Sequence, residues 1–201
     1  VITAIATETT EKTEKKHYSP EEYLALEAES EIKHEYRNGE IVERDASTTT
    51  HNKLTGKLAF CLLQSLRDKS YEIYVNDVRL WIPEANKYTY PDVMIVQGQP
   101  VYTDDSQTMI TNPVVIAEVL SKSTQGYDQG EKFDDYRTLP SFCEYLLIDQ
   151  YEYYVKHFAK TPEGKWLLTD IRGADGAIAL ESLQFNLSLA DLYKGIEFTA
   201  K

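Results

Sequence analysis

Cysteine is nearly absent from these 201 residues: there are two, Cys61 and Cys143, with no CxxC spacing, and both sit among apolar neighbours. That excludes a disulfide-stapled secreted scaffold, and the pair reads as reduced core residues. Histidine is scarce as well, and its four copies, at 17, 34, 51 and 157, share no spacing that would build a zinc site. No apolar run is long enough to cross a bilayer and no basic-then-apolar leader opens the chain, so the sequence predicts a cytoplasmic protein with no membrane partner. Linkers rich in Gly, Ser or Pro are missing, and the length suits one sizeable core, so residues 17–201 are expected to form a single domain. Residues 1–16, rich in Thr, Glu and Lys without periodicity, are expected to be disordered. Positive charge is also short: 21 Lys and Arg against 33 Asp and Glu leave a formal net charge of −12. Nucleic-acid binders draw affinity from Lys and Arg on phosphates, so a chain this acidic must segregate its charge or offset it with metal. The one modest basic cluster, Lys53, Lys57, Arg67 and Lys69, reads as a solvated helix face.

Against these shortages stands a clear pattern of elements. Ser19, Pro20 and Glu22 form a capping box with Pro at the first helical position, predicting a helix to about Ala28 with Tyr23, Leu24 and Leu26 facing inward. Asn38-Gly39 marks a tight hairpin. Leu54, Leu58, Cys61, Leu62 and Leu66 recur at helical spacing and predict a second helix over roughly 50–68 with a core-facing stripe. Strands are expected near 71–82, 89–96, 113–120 and 144–150, with more in a meander after 151, and Ser188 with Asp191 caps a short last helix. The fifteen tyrosines are expected mostly on strands, where half-buried pleated surfaces suit them.

Two acids break the apolar strands: Asp92 in YPDVMIV and Glu118 in PVVIAEVL. An unpaired buried carboxylate costs several kcal/mol, so each needs a cation or N–H donors. Two of them on neighbouring strands would make a divalent-metal site; a buried acid capped by backbone N–H groups is the plainer alternative for either alone. A polar turn with Ser121, Ser123 and Thr124 follows, and then Asp128, Lys132 and Tyr136 at intervals of four, which places them along one face of a helix stopped by Pro140. A lysine on that helix can lean toward the strand acids. The apolar strand CEYLLID then ends in Asp149.

The order Pro91-Asp92, Glu118-Val119-Leu120-Ser121, Asp128, Lys132, Tyr136 and an apolar strand ending in Asp resembles the Uma family of restriction-endonuclease-like proteins, within the PD-(D/E)XK nuclease superfamily. The likeness runs upstream through residues 19–43, His51 and 76–82. It implies an α/β fold, a restriction-endonuclease-like mixed β-sheet core flanked by the helices from residues 20 and 50, with the site at the edge of that core. It also implies a metal-dependent endonuclease acting on nucleic acid, DNA first, with Mg²⁺ or Mn²⁺ as cofactor. The superfamily pattern asks for Lys two residues after Glu118, where Leu120 stands, and the likeness gives that role to Lys132. Lys122 is a rival, since strand alternation puts 118, 120 and 122 on one side.

In this reading Asp92 and Glu118 hold the ion, with a backbone carbonyl near Val119 completing the shell. Lys132 orients the attacking water or steadies charge on phosphorus. Glu35 matches an acid that the family places near the metal, His51 a histidine that could approach the substrate side, and Asp77 an acid that could act as a supporting partner; a solvated Glu on a hairpin and a structural residue at a helix start are equally open for the first two. Duplex cleavage with one site per chain favours a homodimer, built through the C-terminal strands or the N-terminal helix. The rival from another class is a nuclease-like binding module that keeps the acids without hydrolysis, which Leu120 and the overall acidity favour.

Overall fold

In 113–120 and 144–149 both faces of the strand carry mostly apolar residues, so these segments need cover on two sides. That cover organises the computed structural model, which describes residues 16–103, 105, 107–122 and 125–198. The tail expected to be disordered lies outside the described residues except for Lys16, and so do Ser123 and Thr124 of the expected turn.

The elements are α1 (Pro20–Glu29), β1 (His34–Arg37), β2 (Glu40–Glu43), α2 (Thr49–Leu66), β3 (Tyr71–Val75), β4 (Arg79–Ile82), β5 (Lys87–Thr89), β6 (Val93–Gln97) and β7 (Met109–Ile110). After them come β8 (Pro113–Leu120), α3 (Gln125–Gln129), α4 (Glu131–Tyr136), β9 (Glu144–Asp149), β10 (Tyr154–Lys160), β11 (Trp166–Arg172), β12 (Ala177–Leu180), β13 (Phe185–Ser188) and α5 (Leu189–Leu192). Six strands, in the order β11-β10-β9-β8-β6-β3, form one mixed sheet in which only β8 and β9 run parallel. Five others, β2-β1-β5-β4-β7, form a second mixed sheet, and β12-β13 a separate ribbon.

One face of the six-stranded sheet, with Val115, Ala117, Val119, Leu146 and Ile148, packs on the leucine stripe of α2 and on β12, β13 and α5. The other face, with Met94, Ile116, Leu120, Tyr145 and Leu147, meets Leu80 and Ile82 of the five-stranded sheet and Tyr136 of α4. The mixed α/β core flanked by helices is therefore as expected, as are the capping box at Ser19, the Asn38-Gly39 hairpin with φ of 46° and 101°, and the Ser188 cap.

Several expectations need correction. The helix from residue 20 packs on the five-stranded sheet, not on the larger one: Tyr23 stacks on Tyr36 and Tyr88 with ring centroids 5.4 and 5.3 Å away. Tyr23 is the one fully buried residue of α1 and Leu24 packs beside it as expected, but Leu26 is 51% exposed rather than inward. The run 71–82 is two strands in different sheets, parted at Asn76, whose φ of 61° turns the chain. The helix carrying Asp128, Lys132 and Tyr136 is broken at Gly130, so Asp128 lies on α3 and the other two on α4, which ends before Pro140. The tyrosines are not mainly strand residues: Tyr23, Tyr127 and Tyr136 sit on helices, and Tyr90, Tyr151 and Tyr153 in connections. Both cysteines are free and only half-buried.

Candidate active site

Strand parity decides where the acids point. Glu118 shares its face with Ile116 and Leu120, the face turned toward α4 and the five-stranded sheet. Asp92 lies between β5 and β6 rather than within a strand: Pro91 has no N–H for a ladder, and here the chain passes from one sheet to the other. The acids meet across that joint. The Asp92 N–H donates to Glu118 Oε2 at 3.3 Å, and the Val119 N–H donates to Asp92 Oδ2 at 2.8 Å.

Cations and donors close in from other elements. Lys132 Nζ lies 3.0 Å from Glu118 Oε1, 3.1 Å from Asp128 Oδ1 and 3.9 Å from Glu35 Oε1. The approach to Asp128 is a charge contact only, because Asp128 Oδ1 is buried without an aligned hydrogen bond. Tyr136 donates its hydroxyl to Glu118 Oε1 at 2.8 Å. From β1, Glu35 accepts from Arg37 Nη2 at 2.7 Å and from the Thr89 hydroxyl. His51, in the first turn of α2, places Nε2 3.0 Å from Asp92 Oδ2, and Arg44 reaches within 3.6 Å of Oδ1. The α2 start is itself tied to the site: Thr48 caps His51 N and donates to Gln150 Oε1 at 2.6 Å, while Gln150 Nε2 donates to the Leu120 carbonyl at 2.6 Å. These groups, Tyr136, Thr89 and Leu120 excepted, line a cavity of about 290 Å³ that Ser121 and Tyr127 also border.

The charges in this cavity are unequal in their comfort. Burial pushes the Glu118 carboxyl up to about 7; Lys132 opposes this, but Asp92 and Asp128 add to it. Burial acts the same way on Asp92 and Glu35, yet both stay below their ordinary values. His51 and the Val119 N–H outweigh burial at Asp92, and Lys132, Thr89 and Arg37 outweigh it at Glu35. Burial works against the Lys132 ammonium, but Glu118, Glu35 and Asp128 hold its pKa well above normal, so it remains a cation throughout the neutral range. Tyr127 is pushed up to about 12 by burial and by Glu35 and keeps its proton.

Of the residues expected at the site, Asp92, Glu118, Val119, Lys132, Asp128, Tyr136, Glu35 and His51 come together, and Ser121 stands at the cavity wall. Glu35 is buried, not solvated. Val119 presents its N–H to the cluster through Asp92. Lys122 is exposed beside the Tyr151 ring, 5.5 Å from its centroid, and Asp77 is an exposed partner of Lys33 outside the cluster. Asp149 caps its own strand end, accepting from Tyr151 N at 2.7 Å. Sequence reasoning missed Arg37, Arg44, Thr48, Tyr127 and Gln150. Arg37 had a signal, since it alternates with Glu35 on one strand face; Arg44 and Gln150 reach the site only through long-range folding.

Among the described residues no three His, Cys, Asp or Glu side chains converge as a ready metal cage. Nor is any helix among them long and apolar enough to cross a membrane.

Residues 20–191 match the family model Uma2, described as "Putative restriction endonuclease". Two proteins of Synechocystis sp. are similar over most of their length. "Uncharacterized protein sll1609" is 46% identical over 78% of this chain and 89% of its own, and "Uncharacterized protein slr1290" is 31% identical over 90% and 93%. A crystal structure from Anabaena variabilis, described as a "putative nuclease belonging to DUF820", superimposes with a TM-score of 0.73 at 16% identity, covering 88% of this chain and 97% of that one.

Proposed function

We propose, from the premise that the chain belongs to the Uma2 family of putative restriction endonucleases, that it is a metal-dependent endonuclease hydrolysing nucleic-acid phosphodiester bonds, DNA first, at the Asp92–Glu118–Lys132 cluster. The carrying observation is the meeting of Asp92 from the joint before β6, Glu118 of β8 and the buried Lys132 at one cavity floor.

The donor set fits a hard dication. Asp92 and Glu118 offer carboxylate oxygens, Glu118 is held in strained excess of negative charge, and the Val119 carbonyl would add a further oxygen. Two carboxylates with waters suit Mg²⁺ or Mn²⁺, which keep part of their water shell and bind through one or two acids plus substrate phosphates. When bound, the ion supplies charge neutralisation and an acidified water.

The chain's own residues do the rest. Lys132 stays protonated, which supports the role of a fixed cation facing the phosphate and its developing charge and argues against a proton acceptor. Tyr136 and Lys132 hold one Glu118 oxygen in place, and His51 and the Val119 N–H hold Asp92. A second reading, a nuclease-like binding module, is favoured by one feature: Lys132, Arg37 and Arg44 already offset much of the acid charge within the protein.

Cleavage of labelled DNA and RNA with Mg²⁺ or Mn²⁺ separates the two. The nuclease reading expects cutting that chelation stops, a rate roughly 10²-fold or more lower in Lys132→Ala, and near-normal cutting in Lys122→Ala. A folded protein that binds metal and cuts neither substrate supports the module instead, and dependence on Lys122 rejects the assignment of Lys132.

A further inference from the structure

We propose that the cleft takes a single unpaired nucleic-acid strand, with the stacked Arg37–Tyr127 pair as its base platform; this rests on the phosphodiester reading above. Three observations carry it. The first is shape. The cavity, at about 290 Å³, lies at the lower bound of the ~300–1,000 Å³ of small-ligand pockets. Its floor is deep, with Asp92 3% and Glu118 4% exposed. Its walls come from β1, the 42–48 segment, the start of α2 and α3, so they enclose the floor on several sides. A nucleotide-sized portion of a single strand, base included, enters such a space, whereas a closed duplex keeps its bases stacked inside and can offer only its outer backbone.

The second is charge. Duplex binding draws much of its affinity from phosphates neutralised by Lys and Arg, on the order of 6–10 in a strongly salt-dependent binder. Here the cavity cations are Arg37, Arg44 and Lys132, and each already faces Glu35, Asp92 or Glu118. With a net charge of −12 behind them, binding must draw on something besides phosphate contacts.

The third supplies that something. The Arg37 guanidinium lies 3.8 Å from the centroid of the Tyr127 ring, and Lys132 Nζ lies 5.8 Å from the same centroid. A flat, sequence-tolerant plate thus stands beside the ammonium that would face the phosphate, and unstacked bases settle on aromatic rings and guanidinium planes. One strand at a time also lifts the symmetry argument for a homodimer.

The test is binding by the full chain, with Ca²⁺ present and salt fixed, of labelled single-stranded DNA, single-stranded RNA and the matching duplex, read by fluorescence anisotropy. Either single strand should bind about tenfold more tightly than the duplex. Tyr127→Ala should weaken single-strand binding by about tenfold, the scale of one stacked base, and leave duplex binding nearly unchanged, while Tyr127→Phe keeps the preference. Equal or tighter duplex binding, or an equal loss on both substrates in Tyr127→Ala, overturns the proposal. A strand bound with this preference but cut by no metal upholds it and counts against hydrolysis; a duplex cut faster than its single strand with Mn²⁺ overturns it and leaves the nuclease reading standing.

Discussion

Glu118 and Glu144 stand at opposite ends of the parallel pair β8–β9, both almost fully buried, and their carboxyls are pushed in opposite directions. At Glu144 every demand is met: Oε2 lies 2.7 Å from His157 Nε2 and Oε1 accepts from Ser182 N at 2.8 Å, so these donors outweigh burial and the carboxyl stays below its ordinary value. At Glu118 burial prevails, because Asp92 and Asp128 crowd the same space and Lys132 is shared among several acids. Two carboxyls equally hidden from solvent, Glu118 the more deeply surrounded by protein, therefore serve two purposes. The matched pair ties the β12–β13 turn to the sheet, while the crowded cluster keeps a deficit of positive charge, which the proposed function assigns to a dication.

The comparison can be broken by substitution. His157→Ala leaves Glu144 without its main partner and should cost about 3 kcal/mol of unfolding free energy in urea. Glu118→Gln, without divalent cation, should act with the opposite sign and raise stability by about 1 kcal/mol, since it removes one of several crowded charges and keeps the bond from Tyr136. Loss of stability in both would show that Glu118 is as well matched as Glu144.

A pH series sharpens the contrast. The folded value of Glu118, about 7, lies above that of an unfolded carboxyl, so its contribution is full below about pH 4.3 and is lost as the pH rises toward 7. Glu144, held low, contributes above about pH 4.3 and loses its contribution as the pH falls through its folded value. Metal-free Glu118→Gln should therefore lose the decline between about pH 4.3 and 7, and Glu144→Gln should lose part of the acid limb. Away from the comparison, Thr48→Ala removes the α2 cap and its bond to Gln150 and should cost about 1 kcal/mol, read by thermal melting.

Much of this was legible in the sequence. The capping box, the Asn38-Gly39 hairpin, the α2 stripe and the apolar runs around Glu118 rest on local chemistry, and the PD, Glu and Lys spacing brings the cluster into view. What stayed hidden depends on the join between sheets. Nothing local says that Pro91-Asp92 is a passage between two sheets, that Gly130 divides a helix whose spacing is otherwise regular, or that α1 chooses Tyr36 and Tyr88 as its floor. Arg44 and Gln150 escaped for the same reason, since their partners Asp92 and Thr48 are distant in sequence.

The central claim, that Asp92 and Glu118 are held for a dication while Glu144 is held for the fold, meets its most direct test in a thermal melt with and without Mn²⁺. The account predicts that the wild-type melting temperature rises with Mn²⁺ by linkage, that Asp92→Ala loses the rise, and that Glu144→Gln keeps it from a lower starting point. An equal Mn²⁺-dependent rise in wild type and Asp92→Ala would contradict it.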